Sequence, residues 1–538
     1  MIISSKMHIF RAKVTKNLAD RRTMITFEDP HQQSLEDFIL PFGGKLDGRN
    51  RWIRLAEVMP WEVLSEVYHR SLSPKMGRSA LPARIVVGAL IIKHMLKLTD
   101  EETIEQIREN PYLQYFLGYS SYSYDNRFEP SLFVSIRKRL GERAINELNE
   151  IFIDHTKKER KAGKSKTKKK NKDDDQQGSS YGEDNKGKTG PSKENQGILL
   201  LDATVAPADI KYPTDLDLLN KVREHSEDLI DKLYDPEPGK VKPRTYRRKA
   251  RKSYLSLSKK RKKGKKAIRK GIKAQLGYIS RNFKTIKRML EEKDKKIFPL
   301  SNKDQRLYWI IQEVYRQQKE MYDKKCHRIQ HRIVSISQPH VRPIIRGKAG
   351  ANVEFGAKLS ASVVDSNIYL DRIGWDAFNE SLDLPSQVEN YRRRFGFYPS
   401  VVITDNIYGS RENRNYLKVR GIRYSGTPLG RPKKNLSDTE NEALKKQRKK
   451  EAIERILIEG KFGVGKRKYS LDLVLAKLKD TSESWIAMVV FVMNIADWLR
   501  NNFLFFFRNW LNNKFFAFKN TTTRFFYIKM GLSFNSCL

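Results

Sequence analysis

The first part of the chain repeats apolar residues with the period of α-helices. Segment 84–96 is almost continuously apolar, and Thr99 with Glu102 forms the pattern of a capping box that begins the next helix. Ser131 can cap a further helix. Short helices joined by tight turns fit either a helix-turn-helix-like DNA-binding module or a helical bundle that does not touch DNA. The pattern predicts an all-α N-terminal domain over 25–155.

From residue 197 onward, short apolar strands alternate with helical segments. The predicted elements are a strand at 197–204, helices at 215–233 and within 245–335, a β-hairpin at 350–375 turning at Asp365, Ser366 and Asn367, a helix at 384–396, a strand at 399–406, a helix at 411–421, a strand at 422–426, a helix within 445–463 and an apolar helix at 484–499. This order is that of an RNase H-like α/β domain with a helical insertion after its first strand. We expect that domain over 196–500 and its insertion at about 215–345.

Two segments lack any such period. Residues 157–172 read KKERKAGKSKTKKKNK and are followed by acidic, Gly- and Ser-rich sequence, which cannot bury enough apolar surface to fold. They predict a disordered charged linker over 156–195. The segment 501–538 is a Phe-rich basic tail. It fits either a terminal helix that packs on the core or aromatic side chains that stack on exposed bases.

The charge balance narrows the function. Lysine and arginine number 106 and aspartate and glutamate 63, which gives a net charge of +43. Such a chain usually meets a polyanion, and an acidic metabolic enzyme is disfavoured. No stretch reaches the roughly 18 uncharged apolar residues of a membrane-spanning helix, so we expect no membrane partner. The N-terminus lacks a secretory signal, and two cysteines are too few for a disulfide framework.

The positive charge is concentrated in one block. Residues 247–288 contain 19 lysines and arginines and no acidic residue, with apolar residues at near-helical spacing. The block fits either the solvated surface of a helical hairpin or a contact surface for nucleic-acid phosphates, and the absence of acidic residues favours the second. The predicted DNA-binding cations in this block are Arg247, Arg248, Lys249, Lys259, Lys260, Arg261, Lys262 and Lys263.

Two aspartates stand where apolar strands are predicted to end. They are Asp202 in LLLDAT and Asp405 in VVITDN. Ligands of open α/β sheets collect at such strand ends. Arg455, Glu459 and Lys466 follow in one helical segment, and the first two are four residues apart and share a helix face.

Three clustered carboxylates repel one another unless divalent cations neutralise them. Glu459 completes such a set, with Glu451 and Glu454 as competitors. Two Mg²⁺ ions, or Mn²⁺, held there would activate a water or a 3′-hydroxyl and stabilise the leaving oxygen of phosphoryl transfer. Arg455 and Lys466 would hold DNA phosphate beside the acids.

Four segments resemble bacterial insertion-sequence DDE transposases, in the branch whose last motif is Tyr-x2-Arg-x3-Glu-x6-Lys. The segments are 81–119, 199–220, 401–422 and 458–478, and the resemblance extends over about 25–155 and 197–500. It implies that Asp202, Asp405 and Glu459 are the catalytic metal ligands, and it favours Glu459 over Glu454. Arg455 and Lys466 match the cations of the motif. The resemblance further implies a cytoplasmic, nucleoid-associated protein that acts as a homodimer on element ends and target DNA, without a small-molecule cofactor.

One position departs from the motif, because Ala452 stands where the family has tyrosine. The alternative hypothesis is therefore a catalytically inactive nucleic-acid-binding protein derived from a transposase. A non-specific RNase H-like nuclease is a third and weaker interpretation. Asn406 and Tyr408 fit either a DNA contact or a turn. Cys326, His327 and His331 favour surface or packing roles over a metal site.

Overall fold

The computed structural model describes residues 34–72, 80–125, 128–170, 195–236, 241–292, 298–348, 351–430 and 438–502. The first residues of the predicted N-terminal domain, most of the predicted linker and nearly all of the predicted tail lie outside these ranges. The description below is confined to the ranges given.

The N-terminal region is helical, as predicted. Its helices are α1 (Arg51–Val58), α2 (Trp61–Arg70), α3 (Ala83–Leu96), α4 (Asp100–Glu109), α5 (Pro111–Phe116) and α6 (Leu132–Lys170). The capping box is confirmed, since the Thr99 hydroxyl accepts from the Glu102 amide while the Glu102 carboxylate accepts from the Thr99 amide. Helix α3 is buried along nearly its whole length, which agrees with its continuous apolar sequence.

Helix α6 continues into the predicted linker. It is interrupted at Gly141, where φ is 65°, and then runs to Lys170. Residues 157–170 are thus helical where the composition predicts disorder. Lysine is a good helix former, and each residue added to an anchored helix gains a backbone hydrogen bond, so the helix continues without an apolar stripe.

The second half contains a mixed sheet of six strands. They are β1 (Ile198–Pro207), β2 (Arg342–Lys348), β3 (Ala351–Val364), β4 (Asn367–Gly374), β5 (Val401–Ile403) and β6 (Arg423–Tyr424). The order is β2-β3-β1-β5-β6, and β4 also pairs with β3. Strand β1 is antiparallel to β3 and parallel to β5, and β5 is parallel to β6. This mixed sheet, with helices between its parallel strands, is consistent with an RNase H-like domain.

The sheet differs from the prediction in two places. Strand β2 was not predicted, because its sequence RPIIRGK is short, contains proline and is rich in charge. The hairpin between β3 and β4 turns on two residues, Asp365 and Ser366, which both have positive φ, and Asn367 already pairs with Val364. A two-residue turn of this handedness matches the twist of the strands it joins.

Helices cover both faces of the sheet. They are α11 (Leu384–Phe395), α12 (Arg411–Val419), α13 (Asp438–Tyr469) and α14 (Lys479–Asn502). Leu199 and Leu201 of β1 pack with α11 and α12, whereas Leu200 and Ala206 join a core that contains α13 and α14. The alternation of β1 thus divides its side chains between two helical layers.

The insertion after β1 has its own core. It comprises α7 (Asp215–Leu233), α8 (Arg247–Ser258), α9 (Lys265–Glu292) and α10 (Asn302–Asp323). Residues of α7, α9 and α10 form a separate apolar cluster around Leu219, Ile279 and Ile311. The predicted helix at 215–233 is confirmed, and Thr214 caps it by accepting from the Asp217 amide.

The N-terminal helices and the sheet share one core. Buried apolar residues from Phe38 to Phe152 form a single cluster with β1, β3, α13 and α14. Helix α14 is the centre of this contact. By length and composition it could cross a membrane, contrary to the expectation from sequence, but 72% of its apolar window is buried inside the protein. Its apolar character therefore serves to join the N-terminal helices to the sheet.

Candidate active site

Strand register brings the first two predicted acids together. Leu200 of β1 lies opposite Ile403 of β5 in the parallel pair, so Asp202 and Asp405, each two residues further on, lie at the same level. Strand β1 continues to Pro207, so Asp202 lies in the middle of a strand instead of at its end. Strand β5, in contrast, ends before Asp405. Asp405 is the residue that caps the following 3-10 turn, and its carboxylate accepts a hydrogen bond from the Asn406 amide at 2.6 Å.

Helix α13 brings the third acid to the same place. Ile458 and Phe462 are buried in the core on this face of the sheet, and Glu459 between them is exposed. The Arg455 guanidinium lies 3.2 Å from the Glu459 carboxylate and 3.9 Å from that of Asp405. One arginine thus bridges two of the three acids, one turn along the helix as the four-residue spacing predicts.

The pKa of Asp202 is affected by both other acids. The pKa of Asp202 is raised to about 6, chiefly by burial and also by the negative charges of Glu459 and Asp405, while a hydrogen bond from the Ala203 amide lowers it. Arg455 lowers it in part. The chain therefore places the carboxylates of Asp405 and Glu459 close enough to Asp202 to disfavour its ionised form, with Arg455 as a countercharge.

The donor chemistry of this set fits a divalent cation. Carboxylate oxygens are the ligands that Mg²⁺ and Mn²⁺ take, and a cation would offset both the burial and the neighbouring negative charges that raise the pKa of Asp202. In the part of the chain that the structure describes, no three histidine, cysteine, aspartate or glutamate side chains are close enough together to hold a metal. The three acids are thus neighbours, with Arg455 between Asp405 and Glu459, but their carboxylates are not close enough together to coordinate one metal ion.

The two competing glutamates have other partners. Glu451 is buried and pairs with Arg423 at the start of β6 at 2.5 Å. Glu454 lies 3.9 Å from Lys450 on the same helix. Neither carboxylate is among the charges that shift the pKa of Asp202, whereas that of Glu459 is. The structure thus favours Glu459 as the acid next to Asp202.

Two residues near Asp405 differ in their access to solvent. Asn406 is exposed. Tyr408 is fully buried, and its hydroxyl finds no hydrogen-bond partner among the described residues. The DNA contact considered for Tyr408 is therefore excluded, and the ring is part of the core beneath the acids. Hydrophobic periodicity could not predict the burial of Tyr408, since the residue lies in a short turn that has no such period.

The basic helices of the insertion divide into paired and unpaired cations. Arg247 donates to Asp231 at 2.8 Å and to Thr245, so this predicted DNA-binding residue joins α8 to α7. Arg248, Lys249 and Lys259 are exposed. One outward groove of α8 is lined by Arg248, Arg251, Lys252, Leu255, Ser256 and Lys259.

The groove contains two cations that the sequence-based selection omitted, Arg251 and Lys252. Their spacing of three and four residues from Arg248 signals the shared face. Lys260, Arg261, Lys262 and Lys263 are exposed in the turn between α8 and α9. Lys466 of the motif is half-buried on α13.

The histidine–cysteine segment has no metal-like arrangement. Cys326 is half-buried and its thiol lies 3.5 Å from the Arg328 carbonyl oxygen. His331 lies 3.5 Å from Asp376. These contacts agree with the surface and packing roles expected from sequence.

Comparison with known proteins gives two family matches. The model described as the transposase DDE domain matches residues 402–496, and the one described as a transposase domain (DUF772) matches residues 41–139. The first includes Asp405 and Glu459 but begins after Asp202. The second covers α1 to α5 and the start of α6.

The comparisons with curated proteins and with solved structures give less information than the family matches. An uncharacterized protein, ORF8 in the nfe locus of Rhizobium meliloti, is 33% identical over 109 residues, which are 20% of this chain and 52% of that protein. The chain thus spans about half the length of the curated relative that it matches. No solved structure matches the chain. The chain is thus similar to transposase domains in two segments, one on either side of the predicted linker.

Proposed function

We propose that this protein is a DNA transposase that binds the inverted-repeat ends of an insertion sequence, cleaves phosphodiester bonds and joins the freed 3′-hydroxyls to target DNA. The proposal rests on one observation: Asp405 and Glu459 lie next to Arg455, and both affect the pKa of Asp202. Two of these acids lie in the segment that matches the transposase DDE domain. The branch with the Tyr-x2-Arg-x3-Glu-x6-Lys motif is part of the proposal, with Ala452 as its exception.

Each residue has a role in this proposal. Asp202, Asp405 and Glu459 would hold two Mg²⁺ or Mn²⁺ ions, which when bound supply an activated water or 3′-hydroxyl and neutralise the leaving oxygen. Strand β1 and helix α13 fix two of the acids on rigid elements. Arg455, about one turn before Glu459, and Lys466, about two turns after it, would hold phosphate beside the acids.

The basic insertion would grip DNA away from the chemistry. The exposed cations of α8 and of the turn after it offer charge without sequence preference. The N-terminal helices would contribute to binding the element ends. Assembly as a homodimer on two DNA ends is what the transposase family implies, and it belongs to the same proposal.

The test is cleavage of supercoiled plasmid that carries the DNA flanking the gene. The wild-type protein should nick it with Mg²⁺ or Mn²⁺ and not after chelation. Asp405→Asn should lose nicking by at least about 100-fold while keeping its affinity for the same DNA, because the change removes charge and keeps the shape of the turn. Cleavage retained by Asp405→Asn would refute the proposal.

Ala452 supports a second candidate, a catalytically inactive nucleic-acid-binding protein. The position is exposed on α13, one turn from Arg455, so the phenol that the family places there is missing from the surface next to the acids. The same assay separates the two candidates. Binding to the plasmid without metal-dependent nicking, in a preparation whose thermal unfolding is cooperative, would establish the second. Cleavage indifferent to the flanking sequence would favour a non-specific nuclease.

A further inference from the structure

One face of α13 is solvent-exposed and apolar close to the third acid. Ile453, Ile456 and Leu457 have exposed fractions of 61, 58 and 41%. They are spaced by three and four residues and therefore lie on one side of the helix. Exposed apolar clusters of this kind mark contact surfaces. We call these three residues with Gly460, the next position on that side, the apolar face.

Among the residues that the structure describes, no neighbour of Gly460 requires a glycine there. A Cβ built at Gly460 meets no atom within 4 Å, whereas one at Gly465 on the same helix would lie 2.9 Å from the Met493 sulfur. Glycine inside a helix costs about 1 kcal/mol relative to alanine. It is retained most readily where another molecule must come close to the backbone. Glu459 lies three residues after Ile456 and is therefore its neighbour on the helix surface, so that molecule would lie beside the third acid.

Just before the apolar face, the same side of the helix is cationic, in a stretch that begins after Glu442. Lys446 and Lys449 continue the line of the apolar face, and Lys445 flanks it. All three are exposed. From Ala443 to Lys450 the chain has five cations and no acid. The side from Lys446 to Gly460 is about 21 Å long at the α-helical rise.

This distribution of charge selects the occupant. A molecule covering the face must be anionic along the lysine half and must present apolar or flat groups to the isoleucines. A second copy of the face could cover the apolar residues, but it carries no acidic side chain for the lysines. Duplex DNA meets both requirements, because its phosphates are regularly spaced and its groove offers sugar edges, thymine methyls and base steps. Isoleucine and leucine side chains are among those that wedge against base steps.

We propose that duplex DNA lies along this side of α13, with Lys445, Lys446 and Lys449 on its backbone and the apolar face in its groove next to the cleaved bond. This inference rests on the proposed function, since it assigns the path of the substrate into the same site. The close approach of the DNA to the helix is the reason that residue 460 is glycine.

The test measures binding without catalysis. In an Asp405→Asn background, a short fluorescein-labelled duplex of mixed sequence is titrated by anisotropy over a series of salt concentrations. Replacing Ile453, Ile456 and Leu457 together by Gln should weaken binding about tenfold without changing the salt slope. Replacing Lys445, Lys446 and Lys449 by Gln should reduce the slope by up to about 3. Leu444→Gln, on the opposite side of the same helix, should change neither quantity.

Gly460 gives an independent readout. Gly460→Ala and Gly460→Leu should raise the thermal midpoint, because both residues favour helix, and should weaken binding, Leu more than Ala. Unchanged affinity in the Gly460→Leu and triple-Gln variants would overturn the inference. So would a drop from dimer to monomer in the triple-Gln variant with unchanged affinity, because the face would then bind a second copy. Failure of the proposed function would instead appear as absence of metal-dependent nicking by the wild-type protein.

Discussion

At the residue scale, the three acids owe their proposed roles to their surroundings. Asp202 is half-buried in a strand, Asp405 is exposed at the start of a 3-10 turn, and Glu459 is exposed on a helix anchored by Ile458. Burial, together with the charges of Glu459 and Asp405, raises the pKa of Asp202, and Arg455 offsets part of this effect. The sequence predicts these residues as the metal ligands, and the motif alone leaves Glu451 and Glu454 as alternatives. Their pairing with Arg423 and Lys450 becomes visible only in three dimensions.

Replacing single glutamates on α13 should separate the third acid from its neighbours. Glu459→Gln should reduce metal-dependent nicking by at least about 100-fold, because it removes a carboxylate beside Asp202. Glu454→Gln, a matched change on the same helix, should leave nicking within about threefold of wild type. Rates come from plasmid nicking at saturating Mg²⁺, and circular dichroism verifies folding. The opposite ranking of the two variants would reassign the third acid to Glu454.

His94 should make the protein sensitive to acid. Burial, with Lys93 and Arg137 nearby, holds the pKa of His94 well below its usual value. Below about pH 6.5 the unfolded chain binds a proton that the folded protein does not, so stability is lost as the pH falls. His94→Gln should flatten the decline in the free energy of unfolding by up to about 1.4 kcal/mol per pH unit. Urea titrations from pH 8 to about pH 5 measure this.

The control for that change is exposed His327. Its replacement by Gln should leave the pH dependence of stability unaltered. If the His94→Gln profile parallels the wild-type one, protonation of His94 is not what destabilises the protein in acid.

At the element scale, helices divide their charges between structure and surface. Helix α8 directs Arg247 toward Asp231 of the insertion, while Arg248, Arg251, Lys252 and Lys259 line its outward groove. The prediction that the basic block is helical holds, because its apolar spacing is a local property. Arg247 also forms an ion pair with Asp231, which depends on how α7 packs beside α8, and its phosphate contact stays a prediction.

Neutralising the outward groove of α8 should weaken the grip on DNA. Replacing Arg248, Arg251, Lys252 and Lys259 by Gln should lower the slope of log affinity against log salt by up to about 4, because each phosphate contact releases about one counterion. The matched control replaces Lys303, Lys319, Lys324 and Lys325 by Gln on and after α10, with the same loss of net charge. Equal slopes for the two variants would mean that the effect is long-range and that the groove is not a contact surface.

At the scale of the whole molecule, one core joins the N-terminal helices to the sheet and a second core belongs to the insertion. Asn494 of α14 fixes the first junction. It donates to Asn149 of α6 and to the Ile368 carbonyl of β4, both at 2.8 Å, and accepts from the Ile368 amide at 2.9 Å. This buried polar bridge fixes the helices and the sheet in one alignment.

The two cores predict two unfolding transitions. Asn494→Ala should lower the stability of the larger unit by about 3 kcal/mol, because it leaves buried partners on α6 and β4 unsatisfied. The transition of the insertion should be unmoved. Differential scanning calorimetry combined with hydrogen exchange of α3 and of α9 reports the two units separately. Loss of protection in α9 together with α3 would show that the molecule unfolds as one unit.

Sequence by itself determined the local features: the helical N-terminal region, the capping box at Thr99, the hairpin, the helix at 215–233 and the residue types of the candidate acids. These follow from periodicity and from turn and cap chemistry within a few residues. The sequence did not determine which other element the apolar face of each helix or strand packs against. It therefore missed strand β2, treated residues 157–170 as linker, and predicted the N-terminal helices as a separate domain although they share a core with the sheet.

Only the tertiary structure decided how the acids come together. The parallel register of β1 with β5 sets Asp202 level with Asp405, and the packing of Ile458 and Phe462 brings α13 over the same edge. It also buried Tyr408 and paired Arg247 with Asp231. These outcomes depend on contacts between residues far apart in the chain, where the free energy comes from the fit of whole faces. A pattern within one element contains no information about its partner.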